Sequence, residues 1–218
     1  MVMEKWHQKL SVYRFEFLLT ALVLLIFDKI FFPSQVIFIR YIWPANMLLI
    51  ALACFGIFIE KNKWIKSLRN GLSILGISIP FGFLVWSSQL WFIEFLTIFY
   101  LVYYSFIFWE VMRQITAAKE VRLNVVLGSF CGYMLLCLIS LFCYILIELN
   151  FSQSFGNISY GDVPAIYQEL MYFSFITLSS IGFGDMSRLV VAFFGMLGQF
   201  YLVAVIGIIV SKFSSSTA

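Results

Sequence analysis

The feature that most constrains this chain is a series of long apolar runs separated by short polar stretches. A helix that crosses a hydrocarbon layer of ~30 Å needs about 20 predominantly apolar residues. Six runs approach or reach that length: 15–32, 42–59, 72–86, 90–109, 123–149 and 190–212. Hydrophobic residues make up 62% of the 218 residues and charged residues only 11%, an excess that no soluble core of this size requires. We therefore expect an all-α membrane protein with six transmembrane helices.

The basic residues are distributed unevenly between the two sides that six spans create. Three of them, Lys29, Arg40 and Arg188, fall on one side. Eleven fall on the side of both termini: Lys5, Lys9, Arg14, Lys61, Lys63, Lys66, Arg69, Arg113, Lys119, Arg122 and Lys212. Because Lys and Arg are enriched in cytoplasmic loops, both termini are predicted to be cytoplasmic. The basic residues form no patch interleaved with aromatic side chains, so we expect no nucleic-acid partner.

A shorter apolar run, 165–178, lies between the fifth and the sixth predicted span. Its 14 residues extend about 21 Å as a helix, which is too short to cross the hydrocarbon layer. Asp162 is a good N-cap and Pro164 suits a first helical turn, so the helix should begin at the outer face. We therefore predict a re-entrant pore helix between helices five and six, which enters the membrane and turns back.

The segment that follows this run reads Ser180-Ile181-Gly182-Phe183-Gly184-Asp185. A carbonyl-lined ion pore needs backbone C=O groups turned inward, and Gly182 and Gly184 can adopt the positive φ values that such a turn demands. Phe183 would point away from the pore and pack. A match of this kind arises by chance in a chain of this length on the order of once in a thousand. The pattern predicts an ion selectivity filter.

These residues resemble the pore region of tetrameric potassium channels. The stretch 172–185 is similar to the family's pore helix and signature sequence, and 198–206 resembles the inner helix of small bacterial members. The likeness covers about residues 123–213. It implies that the carbonyls of Ser180, Ile181, Gly182 and Phe183 coordinate dehydrated K⁺ ions, with the Ser180 hydroxyl at the innermost site.

The resemblance also implies supporting roles around the filter. Asp185 would bond to the ring of Tyr172, and Ser179 would support the filter from the end of the pore helix. Gly198 matches the position at which the family's inner helix bends, so it is the predicted gating hinge. For Gly195 and Gly207, close helix packing is the favoured interpretation. Phe183 lacks the hydroxyl of the commoner Tyr, which predicts a less rigid filter.

The chain divides near residue 115 into two predicted parts. Residues 1–115 form a four-helix membrane domain in the voltage-sensor-like position, and residues 116–218 form the pore domain, which begins with an amphipathic linker helix around 113–122. The run 90–109 contains no basic residue. Moving one charge through the membrane supplies about 2.3 kcal/mol per 100 mV, so a span without cations predicts no strong voltage gating.

These patterns together predict a homotetrameric potassium-selective channel of the plasma membrane, or of the inner membrane in a bacterium. It would be non-enzymatic, would use no cofactor, and would have K⁺ ions, lipid and its own copies as partners. Two alternatives stay open, a weakly selective cation channel and a non-conducting regulatory or scaffold subunit. The 26 Phe, 11 Tyr and 6 Trp are interpreted mainly as lipid-facing and interfacial packing.

Overall fold

The computed structural model describes residues 13–31, 34–58, 63–86, 89–118, 123–151, 154–155, 163–181 and 189–216. Within these ranges the chain is helical and contains no β-strand. Seven α-helices longer than one turn follow in order: α1 Arg14–Phe31, α2 Trp43–Ile57, α3 Lys63–Trp86, α4 Leu90–Ala117, α5 Leu123–Asn150, α6 Val163–Leu178 and α7 Leu189–Ser216. The predicted all-α class is confirmed for the described part of the chain.

Four helical segments in the described residues are long and apolar enough to cross a membrane: Trp64–Trp86, Leu90–Ala117, Leu123–Asn150 and Val191–Ser211. The chain is therefore interpreted as membrane-embedded. The three other helices fall short of the same criterion. α1 has 18 residues and carries Arg14, Glu16 and Asp28 near its ends, α2 has only 15 residues and α6 only 16.

Exposed tryptophans occur at two levels on α3 and α4. Trp64 and Trp86 lie at opposite ends of α3, and Trp91 and Trp109 lie toward opposite ends of α4. At 1.5 Å per residue the two pairs are separated by about 33 Å and about 27 Å. The rings of Trp86 and Trp91 lie 6.4 Å apart, at one common level. Because Trp favours both edges of a hydrocarbon layer of ~30 Å, these spacings fit a membrane-embedded pair of helices.

The chain enters α2 through a π-helical turn. One α-helical turn, Gln35–Ile37, is followed by the π-helix Phe38–Ile42, in which the N–H of Trp43 donates to the carbonyl of Phe38. Pro44 has no N–H and therefore cannot form the next i→i−4 bond, which accounts for the wider turn at this point.

The central helix of the fold is α5, against which α1, α4, α6 and α7 all pack. Leu135, Cys137, Leu138 and Leu141 in its middle have no exposed surface. Side chains from both predicted parts of the chain join a single apolar core around this helix. The helices on the two sides of the predicted boundary near residue 115 therefore pack against each other through α5.

Two helix ends differ from the sequence-based prediction. α3 begins at Lys63 rather than at residue 72, because its first turns are amphipathic and bury Arg69, whose Nη1 donates to the carbonyl of Phe58 at 3.2 Å. α4 continues through Ala117 instead of ending before a separate linker helix. Arg113 and Gln114 both bind the carboxylate of Glu110, one turn earlier on the same helix, and so extend α4. Residues 119–122 of the predicted linker lie outside the described residues.

Gly132 on α5 provides the space for a side chain of α7. A Cβ at this position would overlap the hydroxyl of Tyr201, which donates to the carbonyl of Ser129 at 2.7 Å. We predict that Gly132→Ala lowers the free energy of unfolding by about 1–3 kcal/mol, the usual cost of overpacking. Thermal unfolding of the purified protein in detergent would show this as a lower Tm.

Two variants control this prediction. Gly207→Ala places its methyl group in open space and should not lower the Tm, since Ala favours a helix over Gly by about 1 kcal/mol. Gly132→Ala combined with Tyr201→Phe removes the overlapping oxygen and should recover part of the lost stability. Equal Tm values for Gly132→Ala and Gly207→Ala would contradict the proposed packing.

Candidate functional site

The carboxyl end of α6 is closed by a Schellman motif. The N–H of Ser180 donates to the carbonyl of Thr177 at 3.1 Å, and the N–H of Ile181 donates to the carbonyl of Ile176 at 3.1 Å. In this motif the residue at the position of Ser180 has a left-handed backbone. Ser180 accordingly has a φ of 59°, and it is the one non-glycine residue with positive φ in the described part of the chain.

This backbone conformation is unfavourable for a serine. A left-handed conformation costs a residue with a Cβ about 1–2 kcal/mol, and glycine usually occupies this position. Here the glycine comes two residues later, at Gly182. Strained residues that the surrounding structure keeps in place are typical of functional sites. Ser180 is also the first residue of the predicted filter.

Gln199 of α7 holds the side chain of Ser180. Its Nε2 donates to the Oγ of Ser180 at 2.5 Å. The sequence-based prediction gives Gln199 no role, although it is the one amide or charged side chain between residues 189 and 210. A lone polar residue in an apolar membrane helix is a signal for a buried or functional contact, and this signal would have identified Gln199.

The end of α6 lies beside the interior of two long helices rather than at either end of the bundle. The Oγ of Ser174 donates to the carbonyl of Cys137, near the midpoint of α5, at 2.9 Å. The backbone of Leu178 lies against Gly198, which is about 14 Å along α7 from its first residue. The carboxyl end of α6 therefore lies beside the interior of α5 and α7.

Gly198 allows α7 to approach the end of α6. A Cβ at this position would lie 2.5 Å from the carbonyl oxygen of Leu178, whereas a Cβ at Gly195 would lie 3.7 Å from the carbonyl oxygen of Thr177. Gly207 has open space around it within one chain. Close packing, which the sequence favours for Gly195 and Gly207, is thus a stronger requirement at Gly198. The hinge role of Gly198 stays a prediction.

A cluster of aromatic rings holds α6 between α5 and α7. Tyr144 of α5 lies 5.2 Å from Phe173 of α6 and 5.4 Å from Phe194 of α7, and Phe155 lies 5.4 Å from Tyr144. Aromatic pairs at these distances contribute about 0.5–1.5 kcal/mol each beyond their buried area. Tyr144 and Phe155 are buried, so the expectation that aromatic residues mainly face lipid or the interface is wrong for this cluster.

The structure describes only some of the other predicted site residues. The Oγ of Ser179 donates to the carbonyl of Ile176 in its own helix at 3.1 Å. Tyr172 is exposed and lines a cavity. The remaining filter residues lie outside the described residues: Gly182, Phe183, Gly184 and Asp185. The coordination of K⁺ and the bond between Asp185 and Tyr172 therefore stay predictions.

Comparisons with known proteins provide no relative for this site. No protein-family model, no curated protein and no solved structure matches the chain.

The contact between α6 and α7 gives a prediction for two glycines on one face of α7. We predict that Gly198→Ala lowers the Tm in detergent, because its methyl group meets a backbone carbonyl oxygen that cannot rotate away, at a cost of about 1–3 kcal/mol. Gly195→Ala makes only an ordinary contact and should keep or raise the Tm. If both variants unfold at the parental temperature, Gly198 is not required for packing, and this result would favour the hinge interpretation.

Proposed function

We propose that this chain is the subunit of a homotetrameric potassium-selective channel with a passive pore in the plasma membrane, or in the inner membrane of a bacterium. One observation carries the proposal. Ser174, one turn before the end of α6, contacts the middle of α5, and the helix closes with a strained conformation at Ser180, two residues before the sequence Gly182-Phe183-Gly184-Asp185. A helix of this kind followed by a glycine-rich, carbonyl-rich segment is what an ion selectivity filter needs.

The proposed topology has six spans, with α6 as a re-entrant helix between α5 and α7 and with both termini in the cytoplasm. α1 has 18 residues, which extend about 27 Å. The helical run through Gln35–Ile37, Phe38–Ile42 and Trp43–Ile57 has 3, 5 and 15 residues, which extend about 34 Å together. Both lengths suit a span. The buried Asp28 accepts a hydrogen bond from Asn46, and an intramembrane carboxylate needs such a partner.

The exposure of the turn supports an assembly of several copies. Ser179, Ser180 and Ile181 are exposed in a single chain. Non-helical backbone at membrane depth is tolerated only where protein or a water-filled path surrounds it, not lipid. Four copies around one axis would enclose the turn, and the four carboxyl ends of α6, each partly negative, would point at a cation on that axis.

Ser180 and Gln199 suit the inner end of such a filter. A hydroxyl and a row of backbone carbonyls offer oxygens that can replace the water around K⁺. The hydrogen bond from Gln199 fixes the position of the Ser180 side chain. Gln199 would thereby act as a positioning residue that links the inner helix to the base of the filter.

The first four helices support a channel that is not strongly voltage-gated. The first basic residue of α4 is Arg113, near its carboxyl end. Its Nε and Nη2 donate to the two carboxylate oxygens of Glu110, each at 2.9 Å. A paired cation at one end of a helix, with none in the span itself, leaves little charge to move through the membrane potential.

The experiment is a flux assay with purified protein in liposomes, which compares K⁺ with Na⁺. We expect K⁺ flux well above Na⁺ flux. Gly182→Ala should lower K⁺ flux roughly tenfold or more, because a Cβ obstructs the backbone geometry that aims the carbonyls. Gly71→Ala is the matched control, since its methyl group on α3 meets nothing within 4 Å, and its flux should equal that of the parent.

The other outcomes of this assay favour other functions. Equal K⁺ and Na⁺ flux would support a weakly selective cation channel. No flux in protein that is folded and oligomeric would support a non-conducting regulatory or scaffold subunit. Parental flux in Gly182→Ala would contradict the filter assignment itself.

The tetramer gives a separate prediction. If one Gly182→Ala subunit blocks a whole pore, equal mixing with parent subunits leaves about 6% of tetramers with four intact subunits. K⁺ flux from co-expressed protein at matched levels should therefore fall far below half of the parental value. A remaining flux near one half would mean that each chain conducts on its own, and the tetrameric pore would have to be abandoned.

A further inference from the structure

A cavity of about 770 Å³ lies where α1 to α4 meet α5 and α6. Its volume is in the range of about 300–1,000 Å³ that is typical of pockets for drug-sized ligands. Residues from both predicted parts of the chain form its wall, among them Phe27 on α1, Tyr100 on α4, Phe142 on α5 and Phe175 on α6. The proposed filter does not account for this cavity.

Several polar groups on the wall already have partners within the chain. The hydroxyl of Tyr100 donates to the carbonyl of Gly76 at 3.2 Å, and the carboxylate of Glu148 accepts from the N–H of Phe155 at 3.1 Å. Most of the remaining wall is carbon from aromatic and aliphatic side chains. A ligand with many polar groups would lose its bonds to water without replacement, whereas a hydrocarbon chain would lose none.

The wall is confined to one half of the bundle. It includes the carboxyl-terminal parts of α1, α3 and α5 and the amino-terminal parts of α2 and α4. Successive helices run in opposite directions, so these parts lie on the same side, which Trp86 and Trp91 mark as one interface. The uneven distribution of basic residues assigns this side to the outer leaflet.

The two most exposed residues of the wall are Phe27 on α1 and Tyr172 on α6, which are 43% and 61% exposed. We infer from them that the cavity opens between α1 and α6. In a bilayer, the medium outside this opening is the hydrocarbon of lipid. We propose that the cavity binds an acyl chain of an outer-leaflet phospholipid, which enters between α1 and α6.

A carboxyl group on the wall selects the source of the hydrocarbon. A free fatty acid would bring its own carboxyl group toward Glu148, which lines the cavity in the last two turns of α5. Two carboxyl groups close together in a medium of low dielectric constant cannot both be ionised without a large cost. A phospholipid with a zwitterionic headgroup leaves no net charge near Glu148 and keeps its headgroup at the interface. The phospholipid is therefore the favoured ligand.

The bound chain would support the helix that carries the candidate site. Tyr172 and Phe175 line the cavity and lie within about two turns of Ser180. Side chains around an empty cavity lose the contacts that a filled one provides. The occupied cavity thus holds α6 in position against α5. The binding itself does not depend on ion conduction, but an effect of the lipid on K⁺ flux rests on the proposed function.

Photolabelling of the full chain in liposomes tests the binding. The probe is a phosphatidylcholine with a diazirine near the end of one acyl chain, and the labelled peptides are identified by mass spectrometry. We expect strong labelling of cavity residues on α4 and α6. Leu96→Trp fills the cavity and should reduce this labelling about fivefold or more. Ile98→Trp, on the same helix but exposed and away from the cavity, is the matched control and should label like the parent.

Further variants and a second probe test the same binding site independently of Leu96→Trp. If Leu96→Trp does not fold, Ile166→Trp fills the cavity from the side of α6. A photoreactive fatty acid of the same length should label these residues less than the phospholipid does, and Glu148→Gln should reduce that difference. Equal labelling of the parent and the filled variants would overturn the proposal. Disulfide formation between Phe27→Cys and Tyr172→Cys on different copies would also overturn it, because a second chain would then occupy the opening.

The flux assay separates this proposal from the proposed function. If the parent conducts K⁺, Leu96→Trp should change the flux about twofold or more by altering the support of α6, whereas Ile98→Trp should not. If the parent does not conduct, the proposed channel fails while the labelling result still decides the lipid site. A filled variant that loses its labelling but keeps the parental flux would show that the lipid binds in the cavity without affecting K⁺ flux through α6.

Discussion

The structure depends on one constraint, the satisfaction of backbone polar groups in a medium that offers no water. Inside a long helix this is automatic, because each N–H finds a carbonyl of its own helix. At the end of α6 the backbone groups of the last turn need partners outside the regular helical pattern. There the chain uses the two bonds of the Schellman motif, keeps Ser180 in an unfavourable conformation, and brings Gly198 against the carbonyl of Leu178. The close packing of α7 at Gly198 covers the carbonyl of Leu178 in this turn.

The helix α5 connects that turn to the rest of the protein. Its middle accepts the hydrogen bond from Ser174 of α6, while its other faces pack against α1 and α4. Small residues make these approaches possible: Gly128 lies against the ring of Phe15 on α1, and Gly132 lies against Tyr201 on α7. Helices from both predicted parts of the chain are therefore in contact with one buried helix.

The sequence predicts those parts of the fold that depend on local composition. The run 123–149 predicts α5 within one residue, because length and apolarity alone determine a buried helix. Features that depend on tertiary partners are missed. The end of α4 includes a bond from Gln114 to the carbonyl of Ile57 on α2, and the role of Gln199 requires a partner 19 residues earlier in the chain. The sequence predicts positive φ values for Gly182 and Gly184, whereas in the described residues Ser180 adopts one because the capping motif outweighs the local preference.

The tryptophan levels on α3 and α4 have a geometric consequence. The ring pair on α3 spans about 33 Å along the helix axis and the pair on α4 about 27 Å. When α4 stands along the membrane normal, both pairs reach the same two interfaces only if α3 is inclined by roughly 35°, inside the range of 0–40° found for membrane helices. α3 is also less enclosed than α4: 33% of the residues in the most apolar stretch of α3 are buried, against 50% in α4. A change in bilayer thickness would therefore be accommodated by the tilt of α3, while α4 keeps its packing against α5.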